Sequence, residues 1–138
     1  MIAIIDYGIN NLESVKNALD KLGTTFIVTS DIATIQSADA LILPGVGSAS
    51  EGMKNLKKLN LDKVIISEVK NGKPILGICL GMQLLMSDSE EGDVDCLNLI
   101  KGTVTKFNST NKIPQIGWNS ISFNDDTNVQ RLTEDMGI

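Results

Sequence analysis

The sequence predicts an α/β fold, a wound and mostly parallel sheet flanked by helices, on the strength of two observations. Short β-rich runs alternate along the chain with segments of helical periodicity, which is typical of such a sheet. Hydrophobic residues make up 42% of the chain and aromatic residues only 4%. The core must therefore consist of Ile, Leu, Val and Met, the usual composition of a buried parallel sheet. A length of 138 residues suits one domain, and we expect a single domain over residues 1–138.

The apolar pattern places four strands and the helices that follow them. The expected strands are residues 2–6, 25–29, 40–43 and 74–78. Asn10 or Asn11 can cap the first helix, which Gly23 ends. Residues 56–72 predict one broken helix or two short ones, and a further helix is expected at 80–86. Residues 87–95 are rich in acidic side chains and predict an exposed loop, whereas 103–107 and 116–123 alternate in polarity and predict half-exposed antiparallel strands.

Charge and cysteine content exclude several classes of protein. The net charge of −5 disfavours binding to phosphate backbones and anionic membranes, so we expect neither a nucleic-acid nor a membrane partner. The apolar run at residues 2–5 has no basic segment before it, and no run reaches the length of a membrane span, so a cytoplasmic location is expected. Two cysteines and no histidine argue against a disulfide framework and a zinc site, and no metal or other cofactor is expected.

A glycine-flanked cysteine is the strongest chemical signal in the chain. Residues 77–81 read G-I-C-L-G between a predicted strand and a predicted helix, the cysteine form of a nucleophile elbow. The sharp turn strains the nucleophile's backbone, and glycines avoid collisions of neighbouring side chains. The turn also puts the Cys79 sulfur at a helix N-terminus, where free N–H groups favour a thiolate and can hold an oxyanion. The alternative is that Cys79 is a small buried hydrophobic residue, the interpretation that we prefer for Cys96.

A second glycine-rich turn follows the third strand. Residues 44–47 read P-G-V-G, and successive peptide N–H groups in such a turn can bind an anion. In a wound sheet this turn can lie beside the elbow and complete an oxyanion hole for Cys79. The alternative is an ordinary connection between a strand and a helix. Nucleotide binding loses its main support because neither G-x-G-x-x-G nor the P-loop pattern is present.

With these residues in place, the sequence resembles a class I glutamine amidotransferase. The extended string G-I-C-L-G-M-Q at residues 77–83 is similar to the nucleophile motif of that family. Three further segments are similar to the glutaminase subunit of imidazole glycerol phosphate synthase: D-Y-G at 6–8 with N-L at 11–12, P-G-V-G at 44–47, and I-P with G-W-N at 113–119. The resemblance runs through the whole chain in order. It implies the flavodoxin-like sheet of that family.

The resemblance implies a role for each matching residue. Cys79 would attack the carboxamide of glutamine, release ammonia and form a glutamyl thioester that water hydrolyses. The backbone at Val46, Gly47 and Leu80 would form the oxyanion hole, and the glutamine would be held by Gly45, Gly47 and Gln83. Ammonia would pass into a (β/α)₈-barrel synthase, the cyclase subunit of histidine biosynthesis.

Two further positions match residues that face this partner in the family, Asn11 and Trp118. For Trp118, the chain's single tryptophan, packing in the core is an equally good interpretation.

The resemblance also implies that part of the machinery lies outside these 138 residues. The triad histidine and glutamate of the family belong to segments after residue 138, with the last strands of the sheet, so the fold is expected to be incomplete at the C-terminus. General acid–base catalysis typically contributes ~10²–10⁴-fold, and we therefore expect negligible turnover by this chain alone. Three alternatives stay open: a paralogue that supplies ammonia to a surface-sugar amidotransferase, a non-catalytic partner-binding subunit, and an unrelated thiol hydrolase or redox protein.

Overall fold

The structure, a computed structural model, describes residues 1–9, 12–107 and 117. The chain divides into two compact units, Met1–Lys106 and Phe107–Ile138, and all the elements below belong to the first. They are β1 (Ile2–Ile5), α1 (Glu13–Lys21), β2 (Phe26–Thr29), α2 (Ile32–Ser37), β3 (Ala40–Leu43), α3 (Ala49–Lys58), α4 (Leu61–Lys70), β4 (Ile75–Gly77), α5 (Leu80–Leu84), β5 (Asp88–Ser89), β6 (Val94–Asp95) and β7 (Thr103–Val104). Among the described residues, none of the helices is long and apolar enough to cross a membrane.

The main sheet has four parallel strands in the order β2-β1-β3-β4. Ile4 of β1 pairs with Val28 of β2 on one side and with Ile42 of β3 on the other. Leu43 of β3 pairs with Gly77 of β4. This arrangement confirms the predicted fold class, a wound parallel sheet flanked by helices. It also brings the carboxyl ends of β3 and β4 side by side, where the two glycine-rich turns begin.

The sheet is covered on both faces, because alternate residues of each strand point to opposite sides. One face buries Ala3, Ile5 and Leu43 in a large core shared with α2 to α5. The other face buries Ile4 and Ile42 with Leu19 of α1 in a smaller cluster. Leucine, isoleucine and alanine supply most of the buried residues, and Tyr7 is the one aromatic residue among the buried hydrophobic side chains of the described part.

The helices differ from the sequence prediction in three places. Leu12 occupies the N-cap of α1 and makes no side-chain cap hydrogen bond, while the expected caps, Asn10 and Asn11, lie outside the described residues. The short helix α2 was not predicted; the Asp31 side chain caps it by accepting a hydrogen bond from the Thr34 N–H at 2.8 Å. Residues 49–70 form two helices, one of the two expected possibilities, separated at Asn60, which has a left-handed backbone (φ 57°); the first of them begins at Ala49, earlier than expected.

The segment after α5 corrects two predictions. Residues 87–95 were expected to form an exposed loop, but β5 and β6 pair there as an antiparallel hairpin, with Ser89 buried. Strand β7 pairs with β5 in parallel, whereas an antiparallel strand was expected at 103–107. Strands of only two residues are too short to show the alternation of apolar and polar side chains that would reveal them in the sequence. The strand expected at 116–123 lies outside the described residues, apart from Gly117.

Candidate active site

Cys79 lies on a sharp turn between β4 and α5. Only Ile78 and Cys79 separate the strand from the helix. Its backbone has φ 54° and ψ −116°, a conformation that is rare and strained for a residue with a side chain. Such strain persists only where the surrounding structure imposes it. The turn leaves the Cys79 side chain exposed, as a nucleophile that must meet a substrate requires.

The two flanking glycines are required by close packing rather than by an unusual φ. A Cβ on Gly77 would lie 2.6 Å from the Cα of Met82 and 2.7 Å from its backbone nitrogen. A Cβ on Gly81 would lie 2.6 Å from the carbonyl carbon of Leu43 and still closer to its oxygen. Helix α5 therefore folds back against the ends of both β4 and β3. The collisions expected from the sequence are present, and they explain why glycine stands at both positions.

The second glycine-rich turn lies beside the elbow. A Cβ on Gly45 would meet the side chain of Leu80 at 3.2 and 3.3 Å, so the turn after β3 contacts the residue that follows the cysteine. Val46 is 43% exposed. Gly47 has φ 106°, a conformation that favours glycine. The structure thus places Gly45 against Leu80, so the turn after β3 lies beside the elbow, as the sequence predicted.

A buried tyrosine, to which no sequence pattern assigned a role, lies beneath this turn. Tyr7 is 2% exposed, and its hydroxyl donates a hydrogen bond to the carbonyl oxygen of Pro44 at 2.6 Å. Burial raises the pKa of Tyr7 well above its usual value, and negative charge on Cys79 adds to the effect. The phenol therefore stays neutral and is close enough to the thiol to respond to its charge. Its contact with Pro44 spans 37 positions of the chain, so local sequence patterns carried no signal for it.

The other predicted site residues are placed as follows. Gln83 is partly buried and lies one helical turn after Cys79, and its backbone N–H donates to the Cys79 carbonyl at 3.2 Å. The two residues therefore lie on the same side of α5. Asn11 and Trp118 lie outside the described residues. Burial raises the pKa of the Cys96 thiol, with Asp88 and Asp95 adding to the effect, which disfavours its reactive thiolate form. Within the described ranges, no three Cys, Asp or Glu residues are grouped so as to hold a metal ion.

The comparison with family models decides the assignment. Residues 3–136 match the model described as glutamine amidotransferase class-I. The chain belongs to this family. A crystal structure of a glutamine amidotransferase has the same fold, with a TM-score of 0.66 over 76% of this chain and 56% of that one at 20% identity.

Several relatives of this amidotransferase chain are much more similar in sequence. It is 50% identical to imidazole glycerol phosphate synthase subunit HisH of Oceanobacillus iheyensis over 122 residues, which is 88% of this chain and 61% of that protein. It is 44% identical to the HisH subunit of Methanothermobacter thermautotrophicus, over 98% of this chain and 68% of that protein. The resemblance stated from the motifs is thus confirmed. The chain spans roughly three-fifths to two-thirds of the length of these relatives.

Proposed function

We propose that the chain is part of a glutaminase that supplies ammonia to a synthase, with Cys79 as the nucleophile. The observation that carries this proposal is the strained, exposed Cys79 on a strand–turn–helix elbow in a member of the class-I amidotransferase family. The sulfur attacks the carboxamide carbon of glutamine, the carbon–nitrogen bond breaks, and the nitrogen takes up the proton of the thiol and leaves as ammonia. Water then attacks the glutamyl thioester, releasing glutamate and restoring the thiol.

The two glycine-rich turns suit the charge that forms during this reaction. Attack on the carboxamide places negative charge on its oxygen, and fixed N–H donors stabilise that charge without reorganising. The N–H groups of Val46, Gly47 and Leu80 are the proposed donors. That of Leu80 lies in the first turn of α5, where N–H groups have no intrahelical partner, and those of Val46 and Gly47 are successive peptide groups of the glycine-rich turn. The contact between Gly45 and Leu80 supports this pairing of the turns. Gly45, Gly47 and Gln83 are proposed to hold the glutamine.

Proton transfer needs groups that these 138 residues do not supply. The sequence contains no histidine, and a leaving amine without a general acid loses a contribution of ~10²–10⁴-fold. We therefore propose that the 138 residues alone have negligible turnover. The triad histidine and glutamate implied by the family would lie outside them, in one domain with residues 1–138. The partner is proposed to be a (β/α)₈-barrel synthase of histidine biosynthesis, facing Asn11 and Trp118, in the cytoplasm.

Glutamate release from glutamine tests the proposal. The chain is measured alone and with the barrel synthase of its own organism and that synthase's ligand, with Cys79→Ala as the control variant. We expect no release by the chain alone. Release that survives Cys79→Ala would show that Cys79 is not the nucleophile, whereas release by the chain alone that Cys79→Ala abolishes would refute the need for an outside base. Binding of the synthase without release in any mixture fits both a glutaminase that lacks its triad histidine and a non-catalytic subunit. Covalent labelling of Cys79 by the chloromethyl ketone analogue of glutamine, expected only of the glutaminase, separates the two.

A further inference from the structure

Tyr7 occupies an unusual position beneath the site. It follows β1 by two residues, its side chain belongs to the large core, and its hydroxyl is the one polar group of that side chain. A buried hydroxyl needs a hydrogen-bond partner, and the partner here is the Pro44 carbonyl, at the start of the glycine-rich turn. The tyrosine thus ties the end of β1 to the turn that follows β3.

The same hydroxyl also fills the space beside Gly45. A Cβ on Gly45 would overlap the Tyr7 oxygen and would press against Leu80 at 3.2 Å. The peptide between Pro44 and Gly45 is therefore held between the phenol and the first residue of α5. Further along the turn the support ends: Val46 is exposed, and apart from Gly47 and its two chain neighbours no described atom lies within 4 Å of the Cβ position of Gly47.

We propose that Tyr7 is a positioning residue of this site, whose hydroxyl fixes the Pro44 carbonyl and so sets where the Val46 and Gly47 N–H groups stand relative to Leu80 and Cys79. This inference rests on the proposed oxyanion role of those N–H groups. Without the hydroxyl, the Pro44 carbonyl loses its buried donor and the turn is free to rotate about the φ and ψ angles of Gly45 and Gly47. The raised pKa of Tyr7, caused by burial and by negative charge on Cys79, keeps the phenol a donor while the thiolate reacts.

Two reactions of Cys79 distinguish a positioning role of Tyr7 in the site from a role in the stability of the fold alone. With p-nitrophenyl acetate, the thiolate attacks the ester carbonyl, its oxygen becomes negative, and p-nitrophenolate then leaves with the electron pair as an S-acetyl group forms. With iodoacetamide, the thiolate displaces iodide directly and no oxyanion forms. The ratio of the two rate constants therefore measures oxyanion stabilisation, and it cancels changes in thiol exposure or ionisation.

The variant is Tyr7→Phe, in a Cys96→Ser background so that Cys79 is the only thiol, with the rate of Cys79→Ala subtracted. Loss of one buried hydrogen bond predicts that the ratio falls by about three- to tenfold while the iodoacetamide rate stays roughly constant. Ser37→Ala is the matched control, because it also removes a hydroxyl that donates to a backbone carbonyl, that of Thr34 at 3.0 Å, and it should leave the ratio unchanged. An unchanged ratio in Tyr7→Phe, or equal falls in both rates, would overturn the proposal.

If Tyr7→Phe does not fold, the single tyrosine of the chain allows a second test that keeps the side chain. Replacement by 3,5-difluorotyrosine alters only Tyr7 and lowers the pH at which its phenol ionises. The acylation-to-alkylation ratio should then fall with rising pH in the labelled protein before it falls in the unlabelled one. Identical profiles would overturn the inference. Neither test uses glutamine, so the positioning role and the glutaminase proposal can fail separately.

Discussion

Replacing Gly81 by alanine tests the close approach of α5 to β3 that shapes the elbow. The new Cβ would lie 2.6 Å from the carbonyl carbon of Leu43 and 3.3 Å from its Cγ. Carbon atoms normally pack at about 3.5–4.0 Å, and the Leu43 oxygen is closer still, so the helix and the strand would have to separate by more than about 1 Å. The obstacle is backbone, which cannot rotate away as a side chain can.

The expected cost combines three contributions. Overpacking of a close-packed site costs about 1–3 kcal/mol, and a rigid obstacle belongs at the upper end. Separation of the segments also weakens the hydrogen bond from the Ile78 N–H to the Leu43 carbonyl, 3.0 Å in the structure, at about 1 kcal/mol. Against this, alanine in a helix is favoured over glycine by about 1 kcal/mol. The net prediction for Gly81→Ala is a loss of about 2–3 kcal/mol of stability.

Urea unfolding followed by circular dichroism measures this loss, and Gly52→Ala is the matched control. Gly52 lies inside α3, and the atoms nearest to its Cβ would be the flexible ends of the Leu84 and Leu80 side chains, at 3.0 and 3.4 Å. The helix preference then offsets the crowding, and we expect a change within about 1 kcal/mol. A loss below about 1 kcal/mol for Gly81→Ala, no larger than the control, would refute the described packing of α5.

Three other predictions address the surroundings of the site. The ultraviolet band of tyrosinate, which reports Tyr7 alone, should appear in the folded protein only well above pH 10.0. The contribution of the neutral phenol to the free energy of unfolding is therefore complete below pH 10.0, the ordinary pKa of tyrosine, and is lost as the pH rises from there towards the folded-state pKa; Tyr7→Phe should remove this loss. Ser48→Ala removes the cap of α3 and should cost about 0.5–2 kcal/mol in urea unfolding. Lys73→Ala should cost about 3 kcal/mol in thermal unfolding, because it leaves Glu68 and two carbonyls of α2 without their cation, whereas exposed Lys70→Ala should change little.

The sheet and the elbow could be predicted from the sequence because their signals are local. Each parallel strand is a short apolar run, and the strand expected at 40–43 has the bounds Ala40–Leu43; the others differ by one or two residues at their ends. The glycines at 77 and 81 marked the elbow because only glycine permits such close backbone contact. By allowing that contact, the two glycines make room for the sharp turn in which the Cys79 backbone is strained.

The features that escaped prediction lack such signals. Helix α2 spans six residues, too few for a helical period to appear, and its cap at Asp31 was the only local sign. The strands of the β5–β6 hairpin are only two residues long each. The hydrogen bond between Tyr7 and Pro44 joins residues 37 positions apart. Only the folded chain brings such residues together, so the support beneath the site could not be read from either motif alone.

Covalent labelling tests most directly whether Cys79 is a nucleophile that reacts with glutamine and its electrophilic analogues. The chain is treated with the chloromethyl ketone analogue of glutamine, with and without excess glutamine, and the modified residue is located by peptide mass spectrometry. We predict a single adduct on Cys79, formed more slowly when glutamine is present, and none on Cys96. An adduct on Cys96, or labelling of Cys79 that is no faster than by chloroacetone and is insensitive to glutamine, would contradict the account.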